Sequence, residues 1–146
     1  MIRFKLLGVL MFVGFSATVF AEDDQAKKDL EKFQGVWKVT AYEKSGTNAP
    51  KDRLEKLAFT FKESEMSMSI GPKESNTIKL DPSKKPGQLN ITDTQKKVTY
   101  GIYEIDGDTL KMCFSMAIGD ETKRPVKFAT EKDSNTILMV LKREKK

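Results

Sequence analysis

Beyond residue 34 this sequence predicts an all-β domain, a sandwich or a barrel, on three observations. Apolar and polar residues alternate with a period of two through most of the chain. Turn residues interrupt the alternation at short, fairly even intervals: Gly71-Pro72, Asp81-Pro82-Ser83 with Pro86-Gly87, Asp106-Gly107, Gly119-Asp120 and Asp133-Ser134-Asn135. The segments between these turns number roughly eight or nine, each of strand length. Closure into a barrel favours a chain of this size, because it removes the exposed edge strands.

The elements follow in order. Across residues 23–33, Ala26, Leu30 and Phe33 recur at helical spacing among Lys and Glu, with acids at the start and Gly35 just past the end. That pattern predicts a short amphipathic helix capping something larger. The period then changes to two. Trp37, Val39 and Ala41 alternate with Lys38 and Thr40; Leu57, Phe59 and Phe61 with Ala58, Thr60 and Lys62; Met66, Met68 and Ile70 with Ser67 and Ser69. Further strands are expected at Ile78 and Leu80, at Leu89 and Ile91, and over residues 98–105 and 110–116. The last two are expected at Val126 and Phe128 and over residues 136–141. Residues 50–57 add a helical turn before the second strand.

Two features bear on topology. Glu104-Ile-Asp-Gly-Asp-Thr-Leu110 places Asp-Gly between two strand patterns, so the strands around Ile102 and Met112 should be antiparallel neighbours. Over residues 98–105 both faces read apolar with Gly101 in the middle, and a bulge there would exchange the faces. Whether Tyr100 or Tyr103 points inward depends on that bulge.

The opening stretch MIRFKLLGVLMFVGFSATVFA sets Arg3 and Lys5 before an apolar run over residues 6–15, then small residues around Val19-Phe20-Ala21. This is a charged n-region, an h-region and an A-x-A-like cleavage site, so residues 1–21 are expected to be a signal peptide. Gly14, Ser16 and Thr18 dilute the run below the about 20 apolar residues of a membrane span. Residues 22–146 then form one domain with one core, exported to the periplasm or secreted. Losing Arg3 and Lys5 lowers the formal charge from +5 to +3. A balance that mild points to neither nucleic acid nor a membrane surface.

Composition narrows the chemistry. The chain has no histidine, which removes the usual general base near neutral pH and the commonest metal ligand. Cys113 is the single cysteine, so no disulfide within the chain is possible, and with no histidine to activate it a small residue on the barrel wall is the better reading. Asp106 and Asp108 with Glu104 do not meet the calcium-loop pattern and read as turn chemistry. Glu63 with Glu65, and Asp120 with Glu121, read as solvated loop charges. Lys84-Lys85, Lys123-Arg124 and the basic ending lack interleaved aromatics and read as solvated turns and tail. Asn90-Ile-Thr92 meets the glycosylation pattern but falls in a predicted strand. Neither a phosphate-binding glycine loop nor G-x-S-x-G occurs. No catalytic residue, cofactor or metal is therefore expected.

What remains is the inward face. Trp37, Phe59, Phe61, Met68, Tyr100, Met112, Phe114 and Phe128 are the candidate ligand-lining residues. An eight-stranded barrel is just wide enough to be filled by side chains or to hold one small ligand. Met adapts its shape at low cost, which suits an apolar pocket; a packed core of the same residues is the alternative.

A short helix leading into Gly35-Val36-Trp37 resembles the opening of lipocalins. The ordered blocks Leu30-x-x-Phe-Gln-Gly-Val-Trp-Lys38, Phe59-Thr-Phe61, Leu80-Asp-Pro-Ser-Lys-Lys-Pro86, residues 101–114, Arg124-Pro125 and Leu138-x-Val-Leu-Lys-Arg143 resemble the uncharacterised lipocalin-like domain family abundant in planctomycete bacteria. The resemblance implies an exported bacterial protein with a small lipocalin-like, up-and-down antiparallel barrel of about eight strands and a short N-terminal helix. It implies no reaction. The expected function is non-catalytic binding of a small apolar or amphipathic ligand inside the barrel. The alternative is a solid-core module contacting an envelope protein through loops such as 81–86 and 118–125.

Overall fold

The computed structural model describes residues 18–146. Of the expected signal peptide, the n-region and h-region lie outside the described residues. Helix α1 runs Thr18–Phe33, beginning ahead of the expected cleavage point. No Gly or Pro falls between these bounds to stop the backbone earlier. Its inner face carries Ala26, Asp29, Leu30 and Phe33, with Phe33 fully buried.

Nine strands follow: β1 (Gly35–Lys44), β2 (Thr47–Asn48), β3 (Ala58–Lys62), β4 (Glu65–Met68), β5 (Asn76–Asp81), β6 (Gly87–Thr92), β7 (Val98–Asp106), β8 (Thr109–Ser115) and β9 (Thr136–Arg143). Each pairs antiparallel with its neighbour, and β1 also pairs with β9 through Trp37↔Arg143 to Lys44↔Ile137. The result is a closed up-and-down barrel of eight strands, with β2 a two-residue extension hairpinned onto β1. Helix α2 (Lys51–Leu54) supplies the expected turn before β3 and buries Leu54 in the core. The Asp-Gly signal becomes the β7–β8 hairpin, where Asp106 faces Thr109 and Gly107 adopts a φ of 56°.

The interior is filled. Trp37, Phe59, Phe61, Ile78, Leu89, Tyr103, Leu110, Met112, Met139 and Leu141 belong to one buried cluster with Phe33 of α1. At the helix end, Phe33 meets Phe61 edge-on with centroids 5.2 Å apart and Tyr103 likewise at 5.3 Å. Trp37 is fully buried; its Nε1 donates to the Phe33 carbonyl at 2.7 Å, and the Arg143 guanidinium lies 4.2 Å over its ring. Arg143 also donates to the Lys32 carbonyl at 2.5 Å and to Asp108 Oδ1 at 3.1 Å, tying α1 to β9 and the β7–β8 hairpin.

Several sequence expectations need correction. The bulge lies in β1 between Val39 and Ala41, and not at Gly101. Thr40 is the extra residue, so Ala41 turns out to solvent and Tyr42 takes the inward place. The β6–β7 register runs unbroken past Gly101, so Tyr103 is inside and Tyr100, opposite Asn90, is outside. Gly101 faces Phe114, whose Cβ sits where a side chain at 101 would have to go, 2.8 Å from an added Cβ. Met68 and Ile70 are exposed, at 42% and 48%. The β4–β5 ladder holds only at Glu65↔Thr77 and Met66↔Asn76, leaving no neighbour to cover them. No strand forms at Val126 and Phe128; Val126 is 82% exposed.

Residues 117–135 instead run across the outside of the barrel, which explains the doubly apolar reading of β7. Ile102 and Cys113 are buried yet absent from the interior cluster, and they face each other across β7–β8. They lie on the outer face, under the crossing segment: Cys113 Sγ is 3.8 Å from the Ala129 carbonyl, and Gly119 N–H donates to the Val98 carbonyl at 2.7 Å. Burial pushes the Cys113 thiol up to about 11. Thiol labelling of the native protein at pH 8 is therefore expected to be slow and to accelerate by orders of magnitude in denaturant; rapid native labelling, followed by mass, would mean that the segment does not cover this face.

Candidate functional site

The eight residues singled out as ligand-lining separate in the structure. Trp37, Phe59, Phe61 and Met112 are core residues packed against one another, and Phe114 is half-buried against that core above Gly101. Met68 is at the exposed rim. Tyr100 faces outward beneath Arg124, whose guanidinium carbon is 5.0 Å from its ring centre. Phe128 lines a surface groove of about 370 Å³ at the helix end. The larger hollow, of about 870 Å³, has the chain ending Glu144, Lys145 and Lys146 for most of one wall. The rest of it is Gln34 with the strand ends Gly35, Val36 and Arg143.

Two elements frame this groove. From α1 come Gln25, Asp29 and Lys32, one turn apart on the same face. From the β5–β6 turn come Pro82, Lys84, Lys85 and Pro86. The floor is Tyr103, with Ile105 beside it. Gly87 allows this arrangement, because a Cβ there would stand 2.7 Å from Tyr103 Cε1. The Tyr103 ring lies across the glycine and its hydroxyl reaches back to the helix.

That hydroxyl donates to Asp29 Oδ2 at 2.7 Å. Asp29 Oδ1 accepts from Gln25 Nε2 and from Lys32 Nζ, both at 3.1 Å. Asp29 is 8% exposed and Tyr103 3%, so this is a buried link between helix and barrel. Burial opposes the charge on Asp29, but hydrogen bonds from Tyr103, Lys32 and Gln25 outweigh it and hold the carboxyl below its ordinary value. Burial, with the hydrogen bond and charge of Asp29 added, pushes the Tyr103 phenol well above its ordinary 10.0. Asp29 was not legible as a site residue; the one signal is an acid on the apolar face of the helix, between Ala26 and Leu30.

The pair gives stability a defined pH dependence. A depressed native carboxyl stabilises the fold above the unfolded value near 3.8 and loses that contribution as pH falls through the native value. A raised native phenol stabilises the fold below 10.0 and loses it as pH rises further. Urea titrations of wild type and Asp29→Asn at pH 7, 4 and 3 should show the variant less stable at pH 7 and the two converging in acid. Parallel curves would remove Asp29 as the source. Tyr103→Phe, which keeps the ring, should cost about 1.5–3 kcal/mol at pH 7, as for a lost hydrogen bond to a charged group.

Several of the other charged residues have structural partners. Asp120 Oδ1 accepts from Thr122 N at 3.1 Å and caps the short 3₁₀ turn Glu121–Lys123. Asp108 pairs with Arg143 at 3.1 Å, and Glu104 with Lys111 at 3.8 Å. Glu63 and Glu65 are exposed at the β3–β4 turn. Arg124, read as a solvated charge, is buried: its side chain is 8% exposed. It donates to the Leu89 and Gly101 carbonyls at 3.2 and 2.8 Å and to Asn90 Oδ1 at 2.8 Å. Among the described residues no three Cys, Asp or Glu side chains converge as a metal site would require.

No family model matches this chain, and no curated protein or solved structure resembles it at a significant level.

Proposed function

We propose that the chain is an exported, non-catalytic binding module with a solid core, and that it binds a small amphipathic ligand in the groove between α1 and the β5–β6 turn. One observation carries the reading. The barrel interior is occupied by its own side chains, Trp37, Phe59, Phe61 and Met112 among them, while a groove of about 370 Å³ opens outside it. That volume falls within the roughly 300–1,000 Å³ of small-molecule sites. Apolar surface (Ile105, Phe128, Pro82) and the lysines of the β5–β6 turn stand side by side there. Export is supported by Arg3 and Lys5 ahead of the apolar run at residues 6–15, and the non-catalytic reading by the lack of histidine. The lipocalin-like resemblance supports a binding role and lends no chemistry to it.

Methionine methyls test the location. Met66, Met112 and Met139 are buried inside the barrel. In a protein carrying ¹³C-methyl methionine and ¹⁵N amides, titration with octanoate or octanol should shift amides of residues 25–32 and of Lys84, Lys85 and Gly87. The three buried methyls should stay still. Shifts led by Met112 and Met139 would move binding into the interior and sink the groove reading.

A further inference from the structure

The charge balance of the groove identifies the class of ligand. We infer that it takes a small amphiphile with an anionic head, a carboxylate or an equivalent monoanion, held by Lys84 and Lys85 with its apolar body along Ile105 and Phe128; this rests on the groove being the binding surface. Three cations, Lys32, Lys84 and Lys85, line the groove from two separate elements. Among the described residues Lys84 and Lys85 form no ion pair, so both ammonium groups are free to meet a ligand.

The acids nearby offset them only in part: Asp81 lies close enough to Lys84 to feel its charge but forms no ion pair with it. Asp29 has both oxygens engaged, Oδ2 by Tyr103 and Oδ1 by Gln25 and Lys32, and it is 8% exposed, so its charge is spent within the fold. Asp81, just before the turn, accepts from Ser83 N at 3.1 Å and Ser83 Oγ at 2.5 Å, which turns its carboxylate onto its own loop. Glu104 stands at the rim, more than half exposed and beside Lys111. The positive charge outside any ion pair is thus on the turn side and the apolar surface of Ile105 and Phe128 opposite it, which is the polarity of an anionic amphiphile lying across the groove.

Matched eight-carbon probes test this. Octanoate should shift the Lys84, Lys85 and Gly87 amides saturably, octylammonium should leave them unmoved, and octanol should bind at least about tenfold more weakly than octanoate, the effect of losing one charge-assisted contact. Raising NaCl from about 0.05 to about 0.5 M should weaken octanoate alone. Lys84→Gln/Lys85→Gln, on an exposed turn, should cost octanoate about tenfold and spare octanol; Phe128→Ala should weaken both. Equal binding of the three probes at the groove would overturn the anion inference and leave the groove reading standing. Absence of any shift, or shifts confined to the buried methionine methyls, would overturn both.

Discussion

Trp37→Ala is expected to destabilise the domain by about 3–5 kcal/mol, the range for truncating a buried aromatic. Domains of this kind have about 5–15 kcal/mol in total, so the loss would take a large share of the stability. The loss has three sources. The indole is fully buried at the helix end, and its removal opens a void beside Phe33 and its cross-strand neighbour Phe59. The Phe33 carbonyl loses the Nε1 donor at 2.7 Å, and Arg143 loses the ring beneath it. Trp37→Phe separates these, since it keeps an aromatic ring but loses the N–H, and should cost less than Trp37→Ala. Circular dichroism in urea is the appropriate measurement, because Trp37 is the only tryptophan. A cost below about 1 kcal/mol, typical of an exposed position, would contradict its place in the core.

Arg124→Ala should have the second-largest effect, about 2–3 kcal/mol, by stripping charged hydrogen bonds from buried acceptors. One guanidinium serves the Leu89 and Gly101 carbonyls, Asn90 Oδ1 and Glu121 Oε1 at 3.0 Å. It also covers the Tyr100 ring at 5.0 Å. Without it, residues 117–135 lose their central attachment to β6 and β7. The amides of Ile102 and Cys113 should then exchange faster, and Cys113 should label in the native state. Arg124→Lys keeps the charge but not the planar fork, so it should recover only part of the loss. If both variants leave hydrogen exchange under the segment unchanged, Arg124 does not hold it.

These two positions differ in how far the sequence announces them. Trp37 stands at the junction of a helical and a period-two pattern, just past Gly35, and its burial at the mouth of the barrel follows from that context. Arg124 sits in a short basic pair among turn residues, and nothing local separates a buried guanidinium from a solvated one. Its acceptors, at Leu89 and Gly101, lie 35 and 23 positions away. Alternation likewise places Phe59, Phe61, Leu110 and Met112 inside correctly and fails wherever a partner strand is missing or shifted. Met68 has no β5 residue beside it. Ala41 follows a bulge that depends on β9. Phe128 lies in a segment that crosses the outside of the barrel and pairs with no strand.

The run of roughly eight antiparallel strands, the β7–β8 hairpin, the α1 helix and most of the interior are determined by the sequence itself, because periodicity and turn chemistry act between residues a few positions apart. The candidate site is of the other kind. Its central bond joins Asp29 to Tyr103 across 74 positions. The space for the Tyr103 ring depends on Gly87, and the lysines enter from a turn that packs near the helix only once the barrel has closed. Tertiary structure decided that the core is filled and that the opening lies outside it, since side-chain volume is judged against neighbours that only the closed β1–β9 ladder brings together.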